Sequence, residues 1–147
     1  MAVSDIFLGN DLVEVSRILS SIDKIGQKFI DRIYTKHEQE YCNSKSKPEI
    51  HYAGRFAAKE AIIKALKSSG FKQPTPFCSI EIESGVDDEP IVNLHFSCKG
   101  KCRVSISHTE SHAIASAIFI SKWGYWLQSK HIFCLLYTSD AADEQQR

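Results

Sequence analysis

Apolar and polar positions repeat with a helical period in the middle of the chain, and this predicts a long helix over residues 50–69. At 3.6 residues per turn, one broad stripe of that helix carries Ala53, Phe56, Glu60, Ile63 and Lys64. Phe56 and Ile63 predict that the stripe is buried, and an unpaired buried carboxylate is costly. We therefore expect a positive group to meet Glu60: a metal, a ligand cation or a basic side chain.

The rest of the pattern predicts an α+β fold in which the long helix packs on an antiparallel sheet. Ser16 is a candidate N-cap for an earlier helix that ends near Gly26, and residues 27–42 form a helical or irregular connection. Apolar runs, several with period two, predict strands at residues 3–8, 79–83, 91–96, 103–108 and 113–120. The strand over 79–83 has one wet face, and the last two strands form a hairpin.

The composition, with 43% hydrophobic and 24% charged residues, is that of a soluble globular domain. No apolar run approaches the roughly 20 residues that span a bilayer. The first residues lack the basic region of a secretory signal, so we expect a cytoplasmic protein without a membrane partner. The five cysteines are odd in number and irregular in spacing, which argues against a disulfide framework. Cys98 and Cys102 lack the second pair of ligands that a zinc site needs.

The net charge of zero conceals an uneven distribution of charge. Residues 17–72 hold 12 Lys and Arg against 6 Asp and Glu, and the rest of the chain holds 6 against 12. The basic part is either a set of solvated helix faces or a surface for an anionic partner.

Three segments each contain a polar residue that has either a structural or a functional interpretation. Asp11 follows Gly9 at the expected end of a strand, where it either caps the next helix or projects as a ligand. Glu60 either pairs with Lys64 one turn away, which leaves its apolar neighbours unexplained, or meets a cation. His108 ends a strand at a turn, as a surface histidine or as a ligand.

Together these segments favour phosphoryl-type chemistry. Mg²⁺ takes one or two carboxylates and leaves its other positions to water and phosphate, and Asp11 and Glu60 suit that role. The basic residues around them would bind phosphate, and two of these lie one turn apart on the helix and can share a ligand. These basic residues are Arg55, Lys59, Lys64 and His108.

Three blocks of the sequence make a specific resemblance. They are GNDLVEVSR at 9–17, RFAAKEAIIKA at 55–65 and VSISHT at 104–109. In this order they resemble the holo-[acyl-carrier-protein] synthase family, the small type of 4′-phosphopantetheinyl transferase, and the resemblance spans residues from about 4 to 120. Asn10 stands where an apolar residue or Thr is expected, but on a strand its side chain would point away from Asp11.

The resemblance implies a 4′-phosphopantetheinyl transferase-like fold and an activity. The family moves the phosphopantetheine arm of coenzyme A to a serine of apo acyl carrier protein, in fatty acid biosynthesis, and releases adenosine 3′,5′-bisphosphate. It implies a homotrimer with sites between subunits, and no nucleic-acid partner.

By the same resemblance, Asp11 and Glu60 are the Mg²⁺ ligands, and Arg55, Lys64 and His108 lie close to the coenzyme A phosphates. We expect Lys59 to belong to the same phosphate-binding set. Arg17 matches a position that meets the acidic carrier protein. Glu60, His108 or a water on the metal could take the proton of the carrier serine, and we favour an electrostatic role for His108, because a histidine among phosphates is more stable when charged.

Three rival interpretations remain open. The same residues could hydrolyse nucleotide diphosphates with water as the acceptor. The basic helices could form a docking module without catalysis. The chain could also be a transferase fold inactivated by its tail.

The tail differs in character from the rest. We expect one transferase domain over residues 1–122, followed by a segment at 123–133 that the pattern does not assign. The run from Cys134 to Glu144 resembles the translation of a transposase adaptor used in sequencing libraries, so 134–147 is interpreted as an artefactual tail.

Overall fold

The structure is a computed structural model that describes residues 5–121. Within this part of the chain it contains four α-helices, five β-strands and one 3₁₀ turn. In chain order they are β1 (Ile6–Glu14), α1 (Val15–Ile25), α2 (Gln27–Ile33), α3 (Lys36–Asn43), α4 (Pro48–Ser68), the 3₁₀ turn (Phe77–Ser79), β2 (Ile80–Ser84), β3 (Pro90–Leu94), β4 (Gly100–His108) and β5 (His112–Ser121). None of these helices is both long and apolar enough to cross a membrane. The expected segments 123–133 and 134–147 lie outside the described residues.

Two antiparallel sheets surround α4. The larger has the strand order β1-β5-β4, and the smaller is the β2–β3 hairpin. The predicted α+β class, with the long helix packed on an antiparallel sheet, is confirmed. Small side chains dominate this contact on both sides: five fully buried alanines of α4 face three buried alanines of β5. They are Ala53, Ala57, Ala58, Ala61 and Ala65 on the helix and Ala113, Ala115 and Ala117 on the strand.

Gly9 lets β1 lie directly against α4. A Cβ atom on Gly9 would come within 2.0 Å of the Ala61 carbonyl oxygen and 2.6 Å of the Ala65 amide nitrogen. Because these are backbone atoms, they cannot rotate out of the way.

The prediction that the strand ends at Gly9 is wrong, because β1 continues to Glu14 and pairs with β5 along its whole length. Glycine serves here as a site of close approach, not as a strand terminator.

Two predicted helix boundaries also need correction. Ser16 does not cap α1, because the helix begins at Val15 directly after β1. The connection over 27–42 contains α2 and α3, and α3 starts with a capping box. In that box Thr35 Oγ1 accepts a hydrogen bond from the Glu38 amide, and the Thr35 amide donates to Glu38 Oε2 at 2.8 Å. The Thr-x-x-Glu signature of such a box is present in the sequence.

An ion pair between Glu38 and Lys59 joins α3 to α4 inside the core. Lys59 Nζ lies 2.6 Å from Glu38 Oε2, and neither side chain is exposed to solvent. The ammonium also donates to the carbonyl oxygens of Ile33 and Phe77, at 2.7 and 3.1 Å. Glu38 Oε1 accepts a hydrogen bond from the Ile82 amide at 3.0 Å. Because both charged groups are fully hydrogen-bonded, the pair compensates for much of the cost of removing them from water.

Lys59 was expected to bind phosphate together with Arg55, and this placement contradicts that expectation. Lys59 lies on the side of α4 that faces α3 and β2, and its side chain is not exposed to solvent. The ammonium therefore cannot contact a ligand in solution. Burial lowers the pKa of Lys59 from its ordinary value, and the attraction of Glu38 opposes that shift. The residue acts as a structural ion-pair partner.

Replacing Lys59 with methionine should therefore destabilise the fold. Lys59→Met keeps the length of the side chain but leaves the Glu38 carboxylate buried without its counter-ion, which costs about 3–5 kcal/mol of unfolding free energy. Urea denaturation followed by circular dichroism measures this loss. Lys67→Met on the exposed face of the same helix is the matched control and should change stability by less than about 0.5 kcal/mol. Equal stabilities of the two variants would contradict a structural role for the pair.

Candidate functional site

The first cluster of candidate residues lies where β1 crosses α4. Lys64 Nζ donates to Asp11 Oδ1 at 2.8 Å and to the Asn10 carbonyl oxygen at 2.9 Å. The Asp11 side chain is largely buried, with 16% of its surface exposed, whereas that of Lys64 is 49% exposed. Gly9 makes this contact possible, because it holds the strand close enough to the helix for Asp11 to reach Lys64. The structure therefore brings together two residues that are distant in sequence.

Glu60 lies one helical turn before Lys64 on the same side of α4, where side chains i and i+4 are neighbours. Its side chain is half-buried, and the carboxylate has no hydrogen bond or ion pair among residues 5–121. The predicted burial of its stripe is confirmed at Ile63, while Phe56 is half-buried and stacks on Phe77. Glu60 thus lies at the edge of the core, and its carboxylate oxygens are available to bind a cation.

Two alternative roles for these carboxylates are wrong. Asp11 does not cap the following helix, because it lies within β1, opposite Ala115 of β5. Lys64 pairs with Asp11 and not with Glu60. The side chain of Asn10 is exposed on the opposite face of the strand, as expected from strand alternation.

The second cluster lines a cleft between α3, α4, β2 and β4. The Arg55 guanidinium lies over the ring of Tyr41, with its Cζ atom 3.8 Å from the ring centre. The rings of His51 and His108 are 5.7 Å apart. The cleft has a cavity volume of about 170 Å³. Its lining comprises Tyr41, Ile50, His51, Gly54, Arg55, Ile82, Glu83, Ser84, Asp88, Pro90, Ile106 and His108.

The chemistry of this cleft favours an anion. Only 6% of the surface of Arg55 is exposed. Its Nε atom is buried and has no hydrogen-bond partner within the described chain. Burial lowers the pKa of His51 from its ordinary value, and the nearby His108 and Arg55 act in the same direction. Glu83 and Asp88 contribute negative charge at the β2–β3 side of the cleft. A phosphate or carboxylate could pair with the guanidinium and supply the hydrogen bond that Nε lacks.

His51 and Tyr41 were not among the residues predicted from the sequence. His51 precedes Arg55 by four residues, so both side chains lie on the same side of α4, and this local spacing could have identified it. Tyr41 had no such signal, because its position over Arg55 depends on how α3 packs against α4.

The two clusters occupy opposite sides of α4. Nine residues separate Arg55 from Lys64, which at 3.6 residues per turn corresponds to a rotation of about 180° and a rise of about 13 Å. The helix therefore stands between the Arg55 cleft and the Asp11–Lys64 pair. The structure brings Asp11, Lys64 and Glu60 to one side, and Arg55 and His108 to the other.

The remaining candidate, Arg17, is exposed near the start of α1. Lys24, Lys28 and Arg32 are also exposed on α1 and α2, so this end of the molecule has a basic surface. Cys98 and Cys102 are free thiols of intermediate exposure.

Comparison with known proteins identifies the family. The family model described as "4'-phosphopantetheinyl transferase superfamily" matches residues 7–117. A holo-[acyl-carrier-protein] synthase of Protochlamydia amoebophila is 40% identical over 119 residues, covering 78% of this chain and 97% of that protein. The corresponding protein of Chlorobaculum tepidum is 41% identical over 113 residues, covering 76% and 96%.

Solved structures give the same result. The holo-(acyl-carrier-protein) synthase of Bacillus anthracis, in complex with CoA (3',5'-ADP), matches with a TM-score of 0.68 and 30% identity over 82% of this chain and all of that chain. The synthase of Helicobacter pylori, in complex with coenzyme A, matches with a TM-score of 0.63 and 27% identity, covering 78% and 99%.

Proposed function

The chain belongs to the 4′-phosphopantetheinyl transferase superfamily, and from this membership we propose that it is a holo-[acyl-carrier-protein] synthase. It transfers the 4′-phosphopantetheine group of coenzyme A to a serine of an apo acyl carrier protein. The serine oxygen forms a bond to the phosphorus that bears the pantetheine arm. The bond from that phosphorus to the bridging oxygen breaks, and adenosine 3′,5′-bisphosphate leaves. We further propose that the carrier protein serves fatty acid synthesis in the cytoplasm.

The observation that carries this proposal is the buried, incompletely hydrogen-bonded Arg55 in a cleft that also presents His51 and His108. Arginine suits phosphate because its planar donors match two phosphate oxygens at once. Stacking on Tyr41 fixes the plane of the guanidinium, so less freedom is lost when an anion binds. A phosphate of coenzyme A would fill this position.

Asp11 and Glu60 fit a magnesium site by their chemistry. Both offer carboxylate oxygens, the ligands that Mg²⁺ prefers, and Glu60 has no competing partner among the described residues. When bound, Mg²⁺ would offset negative charge on the diphosphate of coenzyme A. Lys64 holds Asp11 at this position and presents an ammonium beside it, where it would contact a phosphate oxygen. Lys59 has no part in the site, because it is buried in the core.

We propose that the complete site forms between protomers of a homotrimer. The two clusters lie on opposite sides of α4, so the Asp11–Glu60 side of one protomer would meet the Arg55 cleft of the next. The outer face of the β1-β5-β4 sheet offers an apolar surface for such an assembly. Its exposed side chains include Ile6, Leu8, Leu12 and Ile114, which are 63%, 67%, 62% and 45% exposed.

The acidic carrier protein would dock on the basic surface of α1 and α2. Arg17 is exposed there, as are other cationic side chains of the two helices. Opposite charge on the two partners speeds their encounter and orients it. With four basic residues against Asp23 and Asp31, α1 and α2 contribute +2 to the positive balance of residues 17–72.

The first prediction concerns the carboxylate pair. Glu60→Gln removes a negative ligand without changing shape and should reduce Mg²⁺-dependent transfer at least 100-fold, whereas Glu40→Gln on the exposed side of α3 should transfer normally. The assay incubates the protein with coenzyme A, Mg²⁺ and apo carrier protein and then weighs the carrier by mass spectrometry. Full activity of Glu60→Gln would remove this residue from the metal site. Cleavage of coenzyme A without any carrier would indicate a hydrolase instead.

The second prediction concerns His108. Because an imidazole N–H can donate a hydrogen bond to a phosphate oxygen, we expect His108→Ala to weaken coenzyme A binding about tenfold or more, with a smaller effect on kcat. Calorimetric titration gives the affinity, and steady-state kinetics give kcat. A loss confined to kcat, with unchanged affinity, would assign His108 as the general base.

The third prediction tests the shared site. Glu60→Gln and Arg55→Ala should each be inactive alone, yet a mixture allowed to exchange subunits should recover activity. Random exchange would place intact Glu60 and intact Arg55 in about one quarter of the sites between protomers. If both residues served a site within one protomer, every site would carry a defect and the mixture would remain inactive.

A further inference from the structure

Two glutamates, Glu81 and Glu83, lie on the face of β2 that points away from the core, and they have no role in the proposed transfer chemistry. Ile80 and Ile82 point into the core, so Glu81 and Glu83 project together from the other face of the strand. The first turn of α3 lies above this face and brings His37 toward it, with His37 Nδ1 3.8 Å from Glu81 Oε1. Three side chains that can ligate a metal therefore converge from two elements.

Their spacing suits one metal ion. One ligand atom each from His37, Glu81 and Glu83 lies within 4.8 Å of the other two. Bonds from zinc to nitrogen and oxygen are about 2.0–2.2 Å long, so two ligand atoms of a tetrahedral ion lie about 3.4 Å apart. Small rotations of His37 and Glu83, both on the surface side, would close this difference.

The central carboxylate is already held in place. Thr35 Oγ1 donates to Glu81 Oε1 at 2.7 Å, and the capping box of α3 fixes Thr35 in turn. On the other side, His95 Nε2 lies 3.0 Å from Glu81 Oε2. Metal-binding carboxylates usually have such supporting hydrogen bonds, which orient the ligand before the metal arrives.

We propose that His37, Glu81 and Glu83 form a binding site for a divalent transition-metal ion of the zinc class, with His95 as a positioning residue for Glu81. The imidazole nitrogen favours Zn²⁺, Co²⁺ or Ni²⁺ over Mg²⁺, whose ligands are oxygens. The site is thus distinct in chemistry from the Asp11–Glu60 pair, and it lies on the smaller sheet. A bound ion would tie α3 to β2.

The test measures metal binding and not activity, because Glu83 also lines the Arg55 cleft. Full-length protein without an affinity tag is stripped with EDTA and titrated with Zn²⁺ by calorimetry and with Co²⁺ by absorption spectroscopy. We expect His37→Gln and Glu83→Gln each to weaken one binding event at least tenfold, and excess Mg²⁺ not to compete. The matched controls His112→Gln and Glu40→Gln, both exposed elsewhere, should bind as the unmodified protein does.

Thermal unfolding provides an independent measurement. A ligand that binds only the folded state raises Tm, so Zn²⁺ should raise the Tm of the unmodified protein and the controls by several degrees more than that of the two variants. Identical metal binding and identical Zn²⁺-induced shifts in all five proteins would overturn the proposal. So would an absence of Zn²⁺ and Co²⁺ binding, which would leave the cluster with its hydrogen bonds alone, or displacement of Zn²⁺ by Mg²⁺ at similar concentration.

Discussion

The ammonium of Lys59 and the carboxylate of Glu38 meet inside the core, and the relative positions of several segments depend on this contact. Lys59 reaches from α4 to the end of α2 and to the 3₁₀ turn, while Glu38 reaches from α3 to the backbone of β2. The capping box at Thr35 fixes the same carboxylate. Because every donor and acceptor of the pair is used at once, displacement of one element would leave a buried charge without a partner.

Around this contact, α4 separates two polar clusters. The side that carries Lys59 faces the interior, and the sides that carry Lys64 and Arg55 face in opposite directions. Asp11 joins Lys64 because Gly9 removes the side chain that would hold the strand away. Tyr41 joins Arg55 because the buried ion pair holds α3 against α4. The arrangement of the two clusters therefore follows from the packing of the helix, and the chain presents them on surfaces that face in opposite directions.

The local periods of the sequence predicted much of this fold. Period two identified β2 and the β4–β5 hairpin, and the 3.6-residue period identified α4. The pattern failed where a contact between distant segments decides the outcome. Lys59 looks like a surface lysine until Glu38, 21 residues away, is placed against it. The extension of β1 past Gly9 likewise depends on the helix that the strand touches. The proposal of Asp11 and Glu60 as joint metal ligands came from their chemistry and was made specific by the family resemblance, whereas His51 had a local signal that was overlooked.

The alanine-lined contact between α4 and β5, with Gly9 beside it, has a consequence for how such a protein changes over generations. Backbone lies so near to backbone there that a larger side chain has no direction in which to yield. New residues can be accepted only on the solvent side of the helix and on the outer face of the sheet. Sequence change is thus confined to these outer surfaces, while the distance between the two polar clusters stays nearly constant.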